Sequence, residues 1–538
     1  MKIIKNRLFN LRNLAIFGIF LFTTTSCLDD LDVKVNDDEL FTSEQFYADP
    51  NSYKQFLAKI YAGLAVTGQS SNAGSGQSDL GAEADGGPNE GFSQYLRGYW
   101  QMQELTTDEA LIAWVENDNP TIKDLNFNTW NADNVFNEAF FARVFFQVGL
   151  VNEFLRETTE EKLNSRGVSG DLKSQIKTFR AEARFLRALT YYHAIDLYGK
   201  MPFATENDDL GTKPVMKTRE EMFNYVIGEL DSIESELPAP RMNQYGRADQ
   251  AAVWMLKAKL YLNAKVYINS DKSTEALAAV EKVIGSAYKV AQIPYANLFM
   301  ADNNTNGAQE EIIFPIVFDG IRTKTYGGTT YLIHGSCNNA VGLTLGIDFG
   351  WQGYRVRQEF MQSVGQDKRI MKVPGNNDPE FITNYLDFEQ GAKLIKFSNK
   401  TSSGENGSDI NFTDADFPLF RMADAYLMYA ELAVVNGKGN ITKALQYIND
   451  LRTRAGSPIV FQTALTKDFI LTERARELYW EGYRRQDLIR FGVYTAGKNW
   501  QWKGGSINGN SLPEYRQLFP IPSKYLRLNS NLSQNVGY

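Results

Sequence analysis

The sequence predicts a mainly α-helical protein, in which TPR-like helix pairs form a scaffold interrupted by a long loop-rich insertion with few short strands. Three observations predict it. Apolar residues recur at spacings of three and four over long stretches in two regions of the chain. Proline and glycine punctuate these stretches. Between the regions, residues 302–416 lose the periodicity and gain glycine, asparagine and serine.

The first residues read as a targeting segment. Lys2, Lys5, Arg7 and Arg12 make a positive start, Leu14 to Phe22 is an apolar run of nine, and small polar residues lead to Cys27. A positive region, a short apolar region and a small-residue cleavage zone make a signal peptide over 1–26. So short a run cannot span a bilayer, which needs roughly 20 residues. An ordinary amphipathic first helix is the competing reading. Residues 27–40 then form a tether carrying Asp29, Asp30 and Asp32, acids that suit a solvated linker. No later segment is long and apolar enough to cross a membrane.

One domain is expected over 41–538. Within it, residues 172–198 carry Phe179, Ala183, Leu186, Thr190, His193 and Leu197 on one helix face, with Arg180, Arg184 and Arg187 on another. Gly199 closes this helix and Pro202 bars its continuation. Arg219 to Leu237 form the next, stopped by Pro238 and Pro240. Asp249 to Val266 pairs with Ser273 to Ile284. Towards the C-terminus, Phe420 to Asn436, Thr442 to Ala455 and Thr466 to Arg490 repeat the arrangement. Helix pairs on short turns are TPR-like, without the strict period of ~34 residues. Residues 68–93 read as loop, and the 302–416 insertion holds strand-like runs such as Ile312 to Phe318. Loops this long inside a compact protein are functional or disordered.

Composition narrows the function. Removing 1–26 takes away four cations and no acid, which moves the net charge from −8 to −12. Nucleic-acid binding needs clustered Lys and Arg, so an acidic surface argues against it. Only two cysteines occur, Cys27 and Cys337, too few for a disulfide framework or a thiolate metal site. His193 and His334 are the only histidines, and neither sits in an HExxH pattern. His193 falls on an apolar helix face, as a core histidine does. No GxSxG, phosphate-binding or dinucleotide signature occurs. A glycosidase needs only two carboxylates, and 64 acids are available. Asp302, Asn303 and Asn304, and separately Asp414 and Asp416, offer oxygen ligands for a structural calcium, but match no EF-hand spacing and fit a solvated turn better. The aromatic content of 13% suits sugar faces and a Tyr-rich core alike.

Several blocks carry a resemblance. RAEARFLRALTYYHAIDLYGKMPF (180–203), FPLFRMADAYLMYAELAVVNG (417–437) with INDLRTRAG (448–456), RELYWEGYRRQDLIRFG (476–492) and FPIPSKYLRLNSNLSQNVGY (519–538) resemble the signature segments of the SusD/RagB family of glycan-binding lipoproteins. Cys27 resembles the lipobox cysteine of bacterial lipoproteins, with Thr24 where leucine is usual, and the acids after it resemble a surface-export signal. YLNAKVY (261–267), VIGSAYK (283–289), LFMADN (298–303), YGGTTYL (326–332) and WKGGSINGNS (502–511) resemble the starch-binding founding member of the family. That member holds an α-glucan helix on an arc of aromatic rings. Its pattern implies Arg97, Trp114, Asn117, Tyr326 and Trp351 as glycan-binding residues here. The residues fit that role. Trp351 stands between Gly350 and Gly353 in a predicted loop, and Trp114 lies in AWVEN (113–117), just before Glu116 and Asn117, rather than on an amphipathic face. An isolated tryptophan is usually core; the matched set favours binding.

The resemblance implies a non-catalytic lipoprotein, held in the outer membrane through its lipid anchor alone and exposed at the cell surface. It would bind starch-like α-glucan and deliver it to a SusC-like TonB-dependent transporter, with no cofactor. Each ring covering about 50 Å² of sugar contributes roughly 1 kcal/mol. Three rings, less the cost of association, give an affinity on the order of millimolar to tens of micromolar. Another glucan, such as α-1,6-linked dextran, is the nearest alternative, because a tryptophan arc does not read linkage. A glycoside hydrolase and a TPR-type scaffold for proteins only are the rivals from other classes.

Overall fold

The computed structural model describes residues 42–68, 78–80, 90–115, 119–373 and 375–538. The protein is about 48% helical, with few short strands. It divides into Met1–Ser52 and Tyr53–Tyr538. The described part of the first unit holds one short helix, Ser43–Phe46, closed by a capping box between Thr42 and Gln45. The predicted signal peptide, Cys27 and the tether lie outside the described residues. No helix among the described residues is long and apolar enough to cross a membrane.

In the second unit, the long helices start at polar caps. Gly170–Tyr198 begins at Ser169, whose hydroxyl accepts from Leu172 N, and ends at Gly199 with φ +73°. Arg219–Ile233 opens with a Thr218–Glu221 capping box. Asp249 caps Gln250–Leu262 and Asn440 caps Ile441–Arg454, each accepting from two amides. The helices stack in sequence. Val135–Glu157 packs on Gly170–Tyr198, which packs on Arg219–Ile233. Gln250–Leu262 packs on Ser273–Ile284, which packs on Met422–Val434; that helix packs on Ile441–Arg454 and Lys467–Leu478. Among the described residues six short strands, β1 (Leu111–Ile112), β2 (Met201–Phe203), β3 (Val215–Lys217), β4 (Ile312–Ile316), β5 (Tyr354–Arg355) and β6 (Phe417–Arg421), form the antiparallel pairs β1–β5, β2–β3 and β4–β6.

A buried ion lattice lies where β6 meets the C-terminal helices. Arg421 reaches Glu311, Glu477 and Glu481 at 2.9, 2.7 and 2.6 Å, and Arg369 reaches Glu473 and Glu477 at 2.7 and 3.0 Å. Arg454 joins them through Glu311 and Glu477, and all these side chains are fully buried. Burial alone would raise the Glu477 carboxyl, but Arg454, Arg421 and Arg369 outweigh it and hold it well below the usual carboxylate range.

The structure corrects three expectations. Phe420 does not begin a helix; it belongs to β6, and the helix starts at Met422, whose amide donates to Glu311 O at 3.0 Å. Thr466 to Arg490 is two helices, Lys467–Leu478 and Arg484–Arg490. Distant carboxylates set the break: Glu109 accepts the Trp480 amide at 3.1 Å, and Glu104 accepts those of Gly482 and Tyr483 at 2.7 and 3.1 Å. Amides satisfied this way need no helical carbonyl, and Trp480 and Gly482 turn to φ of +60° and +82°. The 302–416 insertion, expected to be irregular, contains the helices Gly328–Ser336, Asn339–Thr344 and Gln358–Val364. Within it, Asp302 accepts from the Ser402 amide and hydroxyl, and Asp414 from Gly320 N and Ser408.

Candidate functional site

The β1–β5 ladder is the frame. Leu111 pairs with Arg355 and Ile112 with Tyr354, and Ala113 N donates to Gly353 O at 3.0 Å. Buried Arg357 donates to the carbonyls of Thr107, Ala110, Asn126 and Gln501, tying both strands to the core. The ladder sets Trp114, just beyond β1, beside the residues just before β5. Trp114 Nε1 donates to Gln352 O at 2.9 Å, so the indole N–H is spent internally and the half-buried ring has its face to offer. Gly353, at φ +115°, permits this approach: a Cβ there would stand 2.4 Å from Trp114 Nε1.

Trp351 is seated by the end of the Gly328–Ser336 helix. Its amide and that of Gln352 both donate to His334 O, at 2.7 and 3.2 Å. Tyr326 precedes the same helix. Its amide donates to Glu90 at 3.3 Å, and Thr325 donates its hydroxyl to Glu90 at 2.5 Å. Gln94 accepts from Arg97 N at 2.5 Å and Gly328 N at 3.0 Å, joining this turn to the Tyr95–Trp100 helix that carries Arg97.

Four of the predicted residues therefore converge. The Tyr326 and Trp351 ring centroids are 5.9 Å apart, and those of Trp351 and Trp114 are 6.3 Å apart, each pair tilted by 60°. Such a platform is bent rather than flat. Arg97 closes one side, its guanidinium 4.0 Å over the Tyr331 ring and 4.9 Å over Phe92, with one long hydrogen bond of 3.4 Å to Tyr326 O. Among the described residues its Nε has no partner. These side chains line a cavity of about 490 Å³ together with Phe92, Asn119 and Phe388. Asn117 lies outside the described residues. Sequence reasoning missed Phe92, Asn119 and Phe388. Asn119 stood two positions past a residue already singled out; Phe92 and Phe388, in aperiodic stretches, carried no signal.

The lining of this cavity is mostly apolar and aromatic. Among the described residues it holds aromatic rings, one cation and one amide, and no carboxylate to act as acid or nucleophile. No group of His, Cys, Asp or Glu among them has the arrangement of a metal site. His193, expected in the core, is buried and bonded through Nδ1 to Tyr95 Oη at 2.8 Å, and burial pushes its pKa down to about 3.

Comparison with known proteins places the chain in a family. Residues 348–538 match the SusD family. The chain is 35% identical to the starch-binding protein SusD of Bacteroides thetaiotaomicron over 575 aligned positions, covering 97% of this chain and 98% of that protein. A SusD superfamily protein of the same organism superposes with a TM-score of 0.69 at 18% identity, over 90% of this chain and 99% of the other. A laminarin binding SusD-like protein superposes with a TM-score of 0.67 at 20% identity, over 91% and 99% of the two chains. At such identities the superpositions speak for the fold.

Proposed function

This chain belongs to the SusD family, and on that footing we propose that it captures starch-like α-glucan at the cell surface and passes it to a SusC-like TonB-dependent outer-membrane transporter. Proteins of the family bind glycans and are not catalysts. The observation that carries the reading is the convergence of Tyr326, Trp351, Trp114 and Arg97 on one cavity in a chain 35% identical to a starch-binding protein. Stacked rings bury the apolar faces of glucose units, and the bend between them follows a curved chain better than a straight one. Arg97 and the amides of Asn117 and Asn119 donate to sugar hydroxyls.

In this proposal residues 1–26 are removed as a signal peptide, Cys27 carries the lipid, 27–40 form the tether and 41–538 the glycan-binding domain. Family members are cell-surface lipoproteins that work with SusC-like transporters, which supports both the anchor and the partner. An anchored site beside a transporter works at high local concentration, so weak affinity suffices.

A second reading is a different glucan, supported by the laminarin binding protein of the same fold. Calorimetry against maltoheptaose, a cyclodextrin, dextran and laminarin tests the choice. Binding of the first two alone is expected. Preference for dextran or laminarin overturns the α-1,4 assignment, and oligosaccharide released on overnight incubation overturns the non-catalytic one.

A further inference from the structure

His334 sits behind the aromatic platform. It is 1% exposed, in the last turn of the Gly328–Ser336 helix, and its ring stacks on Trp351 with centroids 4.6 Å apart and planes at 30°. Its Nδ1 lies 2.7 Å from Phe349 O and its Nε2 3.0 Å from Asn411 O. Both partners are carbonyl oxygens, which only accept. A neutral imidazole carries one N–H, so it satisfies one carbonyl and turns a lone pair towards the other. Only the imidazolium donates to both. The same residue's carbonyl accepts the amides of Trp351 and Gln352. His334 therefore holds the 349–352 segment by ring and backbone, and the 409–412 segment by Nε2.

We propose that His334 is a positioning residue for the glycan platform: protonated, it clamps Phe349 and Asn411 and seats Trp351 for stacking, and loss of its proton loosens that ring and weakens glycan binding. The proposal rests on the glycan-binding reading above and adds pH to it. Charged groups lie on both segments that carry its carbonyl partners. Asp348 lies on the Trp351 side. On the other side Asp409 accepts the amides of Asn411 and Phe412 and pairs with Lys324 at 3.3 Å. The Gly328–Ser336 helix contributes no other ionisable side chain than Tyr331. Burial draws the His334 pKa below its ordinary 6.5, while the two carbonyls and Asp348 pull it back up. The proton is thus held on the acid side of neutral, and affinity rises as pH falls through that point. The chain's other imidazole, His193, stays neutral there, because burial takes its pKa to about 3.

The test is calorimetry with maltoheptaose between pH 5 and pH 8, on the mature chain and on His334→Asn and His334→Leu. Asparagine places one amide donor where Nδ1 stands and does not titrate. The unaltered protein is expected to bind more tightly towards the acid end of this range, by up to about fivefold, the effect of one net hydrogen bond. His334→Asn should lose that slope, and should bind more weakly than the unaltered protein at pH 5 but better than His334→Leu. A ligand-free measurement accompanies it: the Trp351 indole signal in NMR, assigned with Trp351→Phe, should titrate together with the His334 ring. If no glucan binds at any pH while the indole still titrates, the glycan reading fails and the clamp stands. If glucan binds with no pH slope, if the indole does not titrate, or if His334→Asn keeps the slope, the clamp is refuted.

Discussion

Removing both tryptophans at once, Trp114→Ala with Trp351→Ala, is the most direct perturbation of the platform. If each ring covers about 50 Å² of glucose at roughly 25 cal/mol per Å², the pair contributes about 2.5 kcal/mol. At 1.4 kcal/mol per decade, that weakens binding about 60-fold. A site of about 100 μM would move to several millimolar, beyond calorimetric detection with maltoheptaose. The substitutions also cost the fold something. Trp351 gives up its stack on His334, and Trp114 gives up its bond to Gln352 O and its contacts with Tyr331 and Tyr354 at 5.7 and 6.1 Å. Both rings are only half-buried, so a fall of a few degrees in Tm is expected rather than unfolding. Circular dichroism at the assay temperature checks that, and Trp351→Phe, which retains a ring face, should keep most of the affinity. A folded double variant whose Kd stays within about threefold of the parent refutes the assignment, because the rings would then supply under 0.7 kcal/mol.

Four further outcomes follow from the packing. Gly353→Ala drives a methyl group towards Trp114 Nε1 at a backbone φ of +115°, so glucan affinity should drop about tenfold. Gly365→Ala, with positive φ but open space around it, should cost stability without affecting binding. Glu477→Gln leaves Arg369, Arg421 and Arg454 facing one another with a carboxylate missing, and urea titration should show a loss of about 3–5 kcal/mol. Asp416 is an acid whose folded pKa is pushed up to about 7, chiefly by burial. Between pH 4 and pH 7 the folded state then holds a proton that the unfolded state has released, so this group's contribution falls as pH rises. Asp416→Asn should remove that slope, with its stability relative to the parent climbing across this window by an amount on the order of a few kcal/mol and levelling above it.

The helical scaffold was legible because its information is local. Phe179, Ala183 and Leu186 announce a buried face by spacing alone, and Gly199 and Pro202 announce its end. The break between Leu478 and Arg484 was not legible, because the groups that cause it, Glu104 and Glu109, lie some 370 residues away. No periodicity reports an amide taken by a distant carboxylate. The site shows the same division. Trp114, Tyr326 and Trp351, proposed on a resemblance carried by short blocks and on their loop context, do come together on one cavity. His334 was noticed only as a histidine outside any motif; that it underlies Trp351 depends on a helix within a stretch read as irregular. Arg97 lines the same cavity while mostly covered between two rings, a placement that only the packing of Tyr331 and Phe92 reveals.

The β1–β5 ladder has a consequence for how such a protein diversifies. Two residues from each of two segments, about 240 positions apart, decide where the platform tryptophans stand relative to one another. A change of glycan preference through the 349–355 loop alone would be read against an unchanged 111–115 edge, and the reverse is equally true. The two stretches behave as one heritable unit divided across the gene. Transplanting the proposed binding face onto another scaffold of this fold therefore requires both halves at once, and a recombination point between them would separate a ring from its partner.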